Sequence, residues 1–274
     1  MTGKTKWLAR TVGAAALIAS VVLAGCAAQE PTASASDDTD ALARVMDRGT
    51  LIVGTAPFYA PFESTNEQTK EIEGFDVDMM TEVAARMGVE IEFTPSEWQG
   101  LLGGLEKGDF DVIVSAMTEK EAAEGNVEFS DVYYELPDVI IVASGNPKGI
   151  EAKGDLEGMI VGVQTGSGAE ILAEEIEDGV GFAELRKYEL TQDAMNDLKA
   201  GRIDAVIAGQ AFAIEQGKVD PSFEVSDEPL ETSGLVGVFK NGSTPLVEEF
   251  DRQLAAMKAD GVYDALVEKW LTLE

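Results

Sequence analysis

Histidine is absent from the 274 residues, and cysteine occurs once, at position 26. The first absence excludes imidazole acid–base chemistry, and together they exclude metal sites of the His/Cys type. Positive charge is scarce as well: 20 Lys and Arg stand against 51 Asp and Glu, a net charge of −31. A chain so acidic repels nucleic acid phosphates, so no nucleic-acid partner is expected. The apolar stretch near the N-terminus, Val12 to Ala24, is 13 residues, too short to span a bilayer comfortably. What is present is an ordinary globular composition, 45% hydrophobic and 26% charged, with chain enough for one large or two medium domains.

Lys4, Lys6 and Arg10 precede the apolar stretch as the positive region precedes the core of a secretory signal. The stretch ends in Leu23-Ala24-Gly25-Cys26, which resembles the lipobox of bacterial lipoproteins. That resemblance implies a lipoprotein signal peptide over 1–25, cleavage before Cys26 and diacylation of its thiol. The alternative is a simple signal peptide with an incidental cysteine. Two acyl chains anchor a protein where one holds it weakly. With Cys26 lipidated, no thiol nucleophile is left. Residues 26–42 are small, polar and aperiodic, a lipid-anchored flexible tether, and the globular part is expected to start near Leu42.

From there strand and helix patterns alternate. Leu51-Ile52-Val53-Gly54 is a short apolar strand, and the loop TAPFYAPFE after it holds two prolines and three aromatics that continue neither period. Phe75, Met79, Met80, Val83, Ala84 and Met87 form a helical stripe with Gly88 as its stop. A strand over 90–94, a helix over 99–107 and a strand over 111–115 follow, an α/β order with mostly parallel sheets. Leu105-Glu-Lys-Gly108-Asp-Phe-Asp111-Val-Ile-Val is echoed 93 residues later by Leu198-Lys-Ala-Gly201-Arg-Ile-Asp204-Ala-Val-Ile, each a helix end, a glycine cap and a buried strand. Further strands are expected over 138–143 and 234–239, and helices over 245–259 and 263–271. Crossings near 144 and 233 leave lobe 2 (144–233) inserted in lobe 1 (43–143 and 234–274), with two crossing strands as a hinge.

The motifs TAPFYAPFE, EGFDVDMMTEVAARMG, WQGLLGGLEKGDFDVIVSAMT, VEFSDVYY, MIVGVQTGSGAE and LKAGRIDAVIAG, in this order, resemble the bacterial extracellular solute-binding proteins of the polar amino acid ABC importer type, solute-binding protein family 3. The resemblance covers about residues 44 to 274. It implies an α/β, two-lobed periplasmic-binding-protein fold, each lobe a mostly parallel sheet with flanking helices, joined by a two-strand hinge. It also implies a small solute trapped between the lobes and handed to a permease. Carried over residue by residue, the loop aromatic that stacks on ligand is Tyr59, with Phe58 beside it, and the residue before the cleft helix is Trp98. The strand-end corner offering backbone and hydroxyl groups is Ser115, Ala116 and Thr118. The helix N-terminus that receives an α-carboxylate is Thr165-Gly166-Ser167-Gly168, where amides and the helix dipole favour an anion. Tyr59 and Trp98 have a plainer reading as core aromatics, and Ser167 as an N-cap.

This sequence departs from the family pattern at three places. The arginine of the T-x-T-x-x-R arrangement, which binds a ligand carboxylate bidentately, falls on Ala123. The aspartate for the ligand amino group falls on Gly209, and the second hydroxyl of the lobe-two loop on Gly168. Losing one partner of a buried charge pair typically costs about 3 to 5 kcal/mol. The expected ligand is therefore not a standard α-amino acid held in the usual way; a neutral or cationic molecule between Tyr59 and Trp98 fits better. Lys120 is the candidate replacement charge, although an ammonium is a mobile point charge and not a fork.

The function expected is a lipid-anchored extracytoplasmic receptor on the outer face of the cell membrane (or periplasmic). It would be a monomer serving an ABC permease and its ATPase, with no catalysis, metal or cofactor. One alternative is an enzyme on the same fold, since cyclohexadienyl dehydratases resemble these receptors. That chemistry needs a carboxylate clamp and an acid or base; Ala123 and Gly209 argue against the clamp, and Glu97 and Glu119 read as solvated surface. Another is a ligand-sensing surface receptor without transport.

Overall fold

The computed structural model describes residues 40–272 apart from 124 and 227; the expected signal peptide, Cys26 and the expected tether up to residue 39 lie outside the described residues. Asp40 caps the first helix, Ala41–Arg48, by accepting the Ala43 N–H at 2.8 Å.

Strand Thr50–Thr55 lies between Glu90–Pro95 and Val112–Ile113, parallel to both, in a five-stranded sheet. The last two strands, Val238–Lys240 and Val127–Phe129, close the sheet, with Val238–Lys240 antiparallel to both its neighbours. Helix Phe75–Met87 covers it with the expected stripe, every member buried. Asp76 and Asp78 stand in its first turn and Arg86 in its last, matching the helix dipole, and Gly88 at φ 78° ends it in the left-handed conformation that glycine adopts freely. The C-terminal helices Thr244–Asp260 and Val262–Trp270 pack Leu246, Phe250, Leu254 and Met257, with Leu266 and Trp270, into the same core. Each fully buried aliphatic or aromatic side chain of this kind contributes about 1.5–3 kcal/mol.

The second sheet runs Glu184–Tyr188, Ile160–Gln164, Ala205–Gly209, Tyr134–Ala143, Phe223–Val225, with Glu231–Leu235 also paired to Tyr134–Ala143. Its first three strands are parallel, so both sheets repeat one βαβ pattern. The sequence echo is visible in its hydrogen bonds. Asp111 Oδ2 accepts the Ile52 N–H at 2.9 Å, and Asp204 Oδ2 accepts the Ile160 N–H at 2.9 Å. Gly108 caps its helix and Gly201 directly follows the cap residue Ala200, both at positive φ, 82° and 67°. Phe110 and Ile203 then press on a glycine of the neighbouring strand: a Cβ on Gly54 would come 2.5 Å from the Phe110 ring, and one on Gly162 2.6 Å from Ile203 Cδ1.

The lobes exchange strands earlier and later than the expected points near 144 and 233. Tyr134–Ala143 is a single ten-residue strand whose hydrogen bonds lie wholly in the second sheet, although Tyr134 and Leu136 pack on the first core and Val139 and Ile141 on the second. The returning strand, expected over 234–239, is two pieces separated at Val236 and Gly237: Glu231–Leu235 belongs to the second sheet and Val238–Lys240 to the first. The crossing segments pair antiparallel, from Tyr134 opposite Leu235 to Asp138 opposite Glu231, and make a two-strand ribbon between the lobes.

Candidate functional site

Beside that ribbon lies a cleft of about 60 Å³, lined from both lobes. Across it, side chains of one lobe bond directly to the backbone of the other. Trp98 Nε1 donates to the Gly166 carbonyl at 3.1 Å and Gln99 Nε2 to that of Thr165 at 3.5 Å. Gly209 N–H donates to the Tyr59 hydroxyl at 3.0 Å, and Gly168 N–H to Glu121 Oε1 at 2.6 Å.

The first-lobe wall turns at Ser115 and Ala116. Ala116 sits at φ 49°, uncommon for a residue with a Cβ, and its N–H donates to Asp76 Oδ2 at 2.8 Å. Tyr133 OH donates to the same oxygen at 2.9 Å. Ser115 Oγ accepts the Ala56 N–H and donates to Glu63 Oε1, both at 2.9 Å. Glu63 Oε2 and Asp76 Oδ1 are buried with no hydrogen-bond partner among the described residues, and both carboxyls are raised, burial being the main cause; Asp76 is pushed up to about 7. Two acceptor oxygens left over in one buried site are satisfied by one proton, which the Asp76 charge holds on Glu63. This pair fixes the corner.

Thr118 caps the short helix Glu119–Ala122, and Glu121 completes a capping box, its Oε2 accepting the Thr118 N–H at 2.5 Å. The other oxygen of Glu121 reaches across to Gly168, first residue of helix Gly168–Val180, whose N-cap is Ser167. A carboxylate thus occupies a free amide at the positive end of a helix. Burial raises the Glu121 carboxyl nonetheless, against the bonds from Thr118 and Gly168.

Gly209 ends its strand directly opposite Asp138. A Cβ at 209 would lie 2.6 Å from Leu136 Cδ2 and 2.8 Å from the Tyr59 hydroxyl, so an aspartate there would require both side chains to move. The carboxylate that position 209 lacks stands one strand over, at Asp138, which also lines the cleft. The Asp138 side chain makes no hydrogen bond among the described residues. Its carboxyl is pushed up to about 7, first by burial and then by Glu121 and Glu231, with Lys120 pulling the other way.

Of the residues singled out from sequence, Phe58, Tyr59, Trp98, Ser115, Ala116, Thr118, Ser167, Gly168 and Gly209 all line the cleft. Tyr59 stacks one face on Phe212 of the second lobe, centroids 4.7 Å apart. Thr165 contributes its carbonyl to Gln99 and lies outside the lining. Lys120 is directed at Glu231, 2.7 Å away on the exposed side of the ribbon, and is also outside the lining, as are Glu97 and Glu119. Ala123, the family arginine position, is exposed. Sequence reasoning missed Glu63, Glu121, Asp138, Gln164 and Thr191, whose hydroxyl donates to Gln164 Oε1 at 3.0 Å. The Thr118–Glu121 spacing is a legible capping-box signature, and Asp138 is a lone charge at the head of an apolar run.

Comparison with known proteins agrees with this architecture. The family model for bacterial extracellular solute-binding proteins, family 3, matches residues 51–273. The L-cystine-binding protein TcyJ of Escherichia coli is 30% identical over 234 residues, 85% of this chain and 86% of that protein. The arginine-binding extracellular protein ArtP of Bacillus subtilis is 32% identical over 227 residues, 82% of this chain and 87% of that protein. Among solved structures, an ancestral amino acid-binding protein described as a precursor of cyclohexadienyl dehydratase superposes with a TM-score of 0.77 at 31% identity, over 84% of this chain and 99% of that one. An ancestral arginine-binding protein bound to arginine gives 0.76 at 34%, over 82% and 99%. The chain belongs to the bacterial extracellular solute-binding proteins, family 3.

Proposed function

We propose that this protein is the lipid-anchored, extracytoplasmic receptor of an ABC importer, acting as a monomer, and that its ligand is a small solute carrying positive charge. The observation behind the ligand reading is the charge of the cleft: the carboxylates of Glu121 and Asp138 line it, beside the proton-bearing Glu63, and among the described residues no lysine or arginine does. A desolvated carboxylate with no hydrogen-bond donor among the described residues, as at Asp138, with the exposed ring of Phe58 and the half-buried ring of Trp98 in the same lining, favours a cation. The arginine-binding name of one relative is in keeping with such a ligand. Enclosure between two lobes on a hinge ribbon is the arrangement by which a receptor holds its solute until it meets a permease. An acid-processing enzyme on this scaffold would need a cationic clamp for its substrate, which the same lining lacks. Anchoring at Cys26 rests on the Leu23-Ala24-Gly25-Cys26 motif.

A thermal-shift screen of amino acids, amines, betaines, polyols and small peptides tests the reading. A compound that binds only the folded state raises stability by about 2.7 kcal/mol at roughly 100-fold saturation. Positively charged compounds are expected to shift the melting temperature; a screen in which only acidic or uncharged compounds do so would refute the charge assignment.

A further inference from the structure

We infer that Glu121 is a built-in occupant of the carboxylate subsite, and that the cleft therefore selects organic cations with no carboxylate of their own. The inference rests on the receptor reading above and names the substrate class of that same cleft.

Three observations combine. The Gly168 N–H heads the 13-residue helix Gly168–Val180 and faces the cleft, and Glu121 Oε1 takes it at 2.6 Å. Glu121 is not a loose side chain that arrived there by chance: its second oxygen is tied to the Thr118 N–H, and its own N–H to the Thr118 hydroxyl, so the capping box aims the free oxygen at Gly168. A ligand carboxylate would have to displace this fixed anion or lie beside it, with no guanidinium or ammonium among the lining residues to compensate. Asp138 lines the same cleft, close enough to Glu121 that each charge is felt by the other. Its carboxylate, on the crossing strand opposite Gly209, has no hydrogen-bond donor among the described residues, and Tyr59 and Trp98 line the same space. Lys120, the nearby cation, is engaged by Glu231 at 2.7 Å and faces outward. The cleft thus offers an open acceptor for an ammonium or guanidinium group and a filled donor where an α-amino acid would place its acid group.

Matched pairs that differ only in the carboxylate isolate this effect: agmatine against arginine, cadaverine against lysine, histamine against histidine. Calorimetric titration of the purified protein is expected to give at least tenfold tighter binding of the amine in one or more pairs. Glu121→Ala frees the Gly168 amide and is expected to move the amine-to-acid preference at least tenfold toward the amino acid. Glu121→Gln keeps an acceptor in the capping box and removes the charge, so it serves as the variant least disturbing to the fold and is expected to move the preference in the same direction by less. Asp138→Asn is expected to weaken both members of a pair alike. If the wild-type protein binds an amino acid as tightly as its amine, or if both Glu121 variants fold normally and leave the ratio unchanged, the inference is overturned while the receptor reading stands. If no compound of any pair binds the wild type or a variant, both are overturned.

Discussion

Tyr59→Phe isolates one closing contact. The ring that stacks on Phe212 at 4.7 Å is retained, and only the hydroxyl that accepts the Gly209 N–H at 3.0 Å is lost. In the closed form that amide is then left without its partner against Leu136 and an apolar ring, whereas in an opened cleft water would satisfy it. The penalty falls on the closed form alone. An unsatisfied buried donor costs about 1–3 kcal/mol, which shifts the closed-to-open ratio by about 5- to 150-fold. Because ligand is held by the closed form, the dissociation constant of any tight ligand is expected to weaken by a comparable factor. Isothermal titration gives the affinity, and small-angle scattering of the ligand-free variant is expected to report a larger radius of gyration than wild type. An affinity within twofold of wild type, with unchanged scattering, would show that this bond carries no closing energy.

The remaining expectations concern protons. Asp138 titrates at about 7 without ligand, and a bound cation favours its charged form, so affinity for a cationic ligand is present above that pH and lost as pH falls through it. Binding at about pH 5.5 is expected to be on the order of tenfold weaker than at neutrality in a pH series, and Asp138→Asn to flatten the profile. The buried pair acts on stability instead. With Glu63 and Asp76 both raised above the usual carboxylate range, the folded chain binds more protons than the unfolded one between about pH 4 and 7, so their contribution falls as pH rises through that window. The ligand-free melting temperature is expected to be higher near pH 5 than near pH 8, and Glu63→Gln, which donates an amide hydrogen where the acid holds its proton, to reduce the difference.

Local patterns were legible where one residue's environment is decided by its neighbours in sequence. The stripe from Phe75 to Met87, with Gly88 after it, gives the helix and its end, and the echo of Gly108 and Asp111 in Gly201 and Asp204 extends to matched hydrogen bonds. The strand exchange was not legible, because Val139 to Val142 is apolar on both faces and carries no mark of which sheet receives it. Val236 and Gly237 likewise gave no sign that an apolar run would be cut between two sheets. The carboxylates of the cleft were hidden for a different reason. In a chain with 51 acidic residues a single glutamate or aspartate reads as solvated surface, and only the approach of Gly168 to Glu121, or of Gly209 to Asp138, gives it another meaning. Gly209 was read as a missing anchor; the neighbouring strand that supplies a carboxylate in its place is 71 positions away in the chain.

Asp138 stands on the ribbon that joins the lobes, opposite Glu231, whereas Trp98–Gly166 and Gln99–Thr165 bridge exposed residues of the two lobes. A door swings least beside its hinge pins. On the reading proposed above, opening about the ribbon would part those bridges while the carboxylate for the cation stays on the segment that joins the lobes.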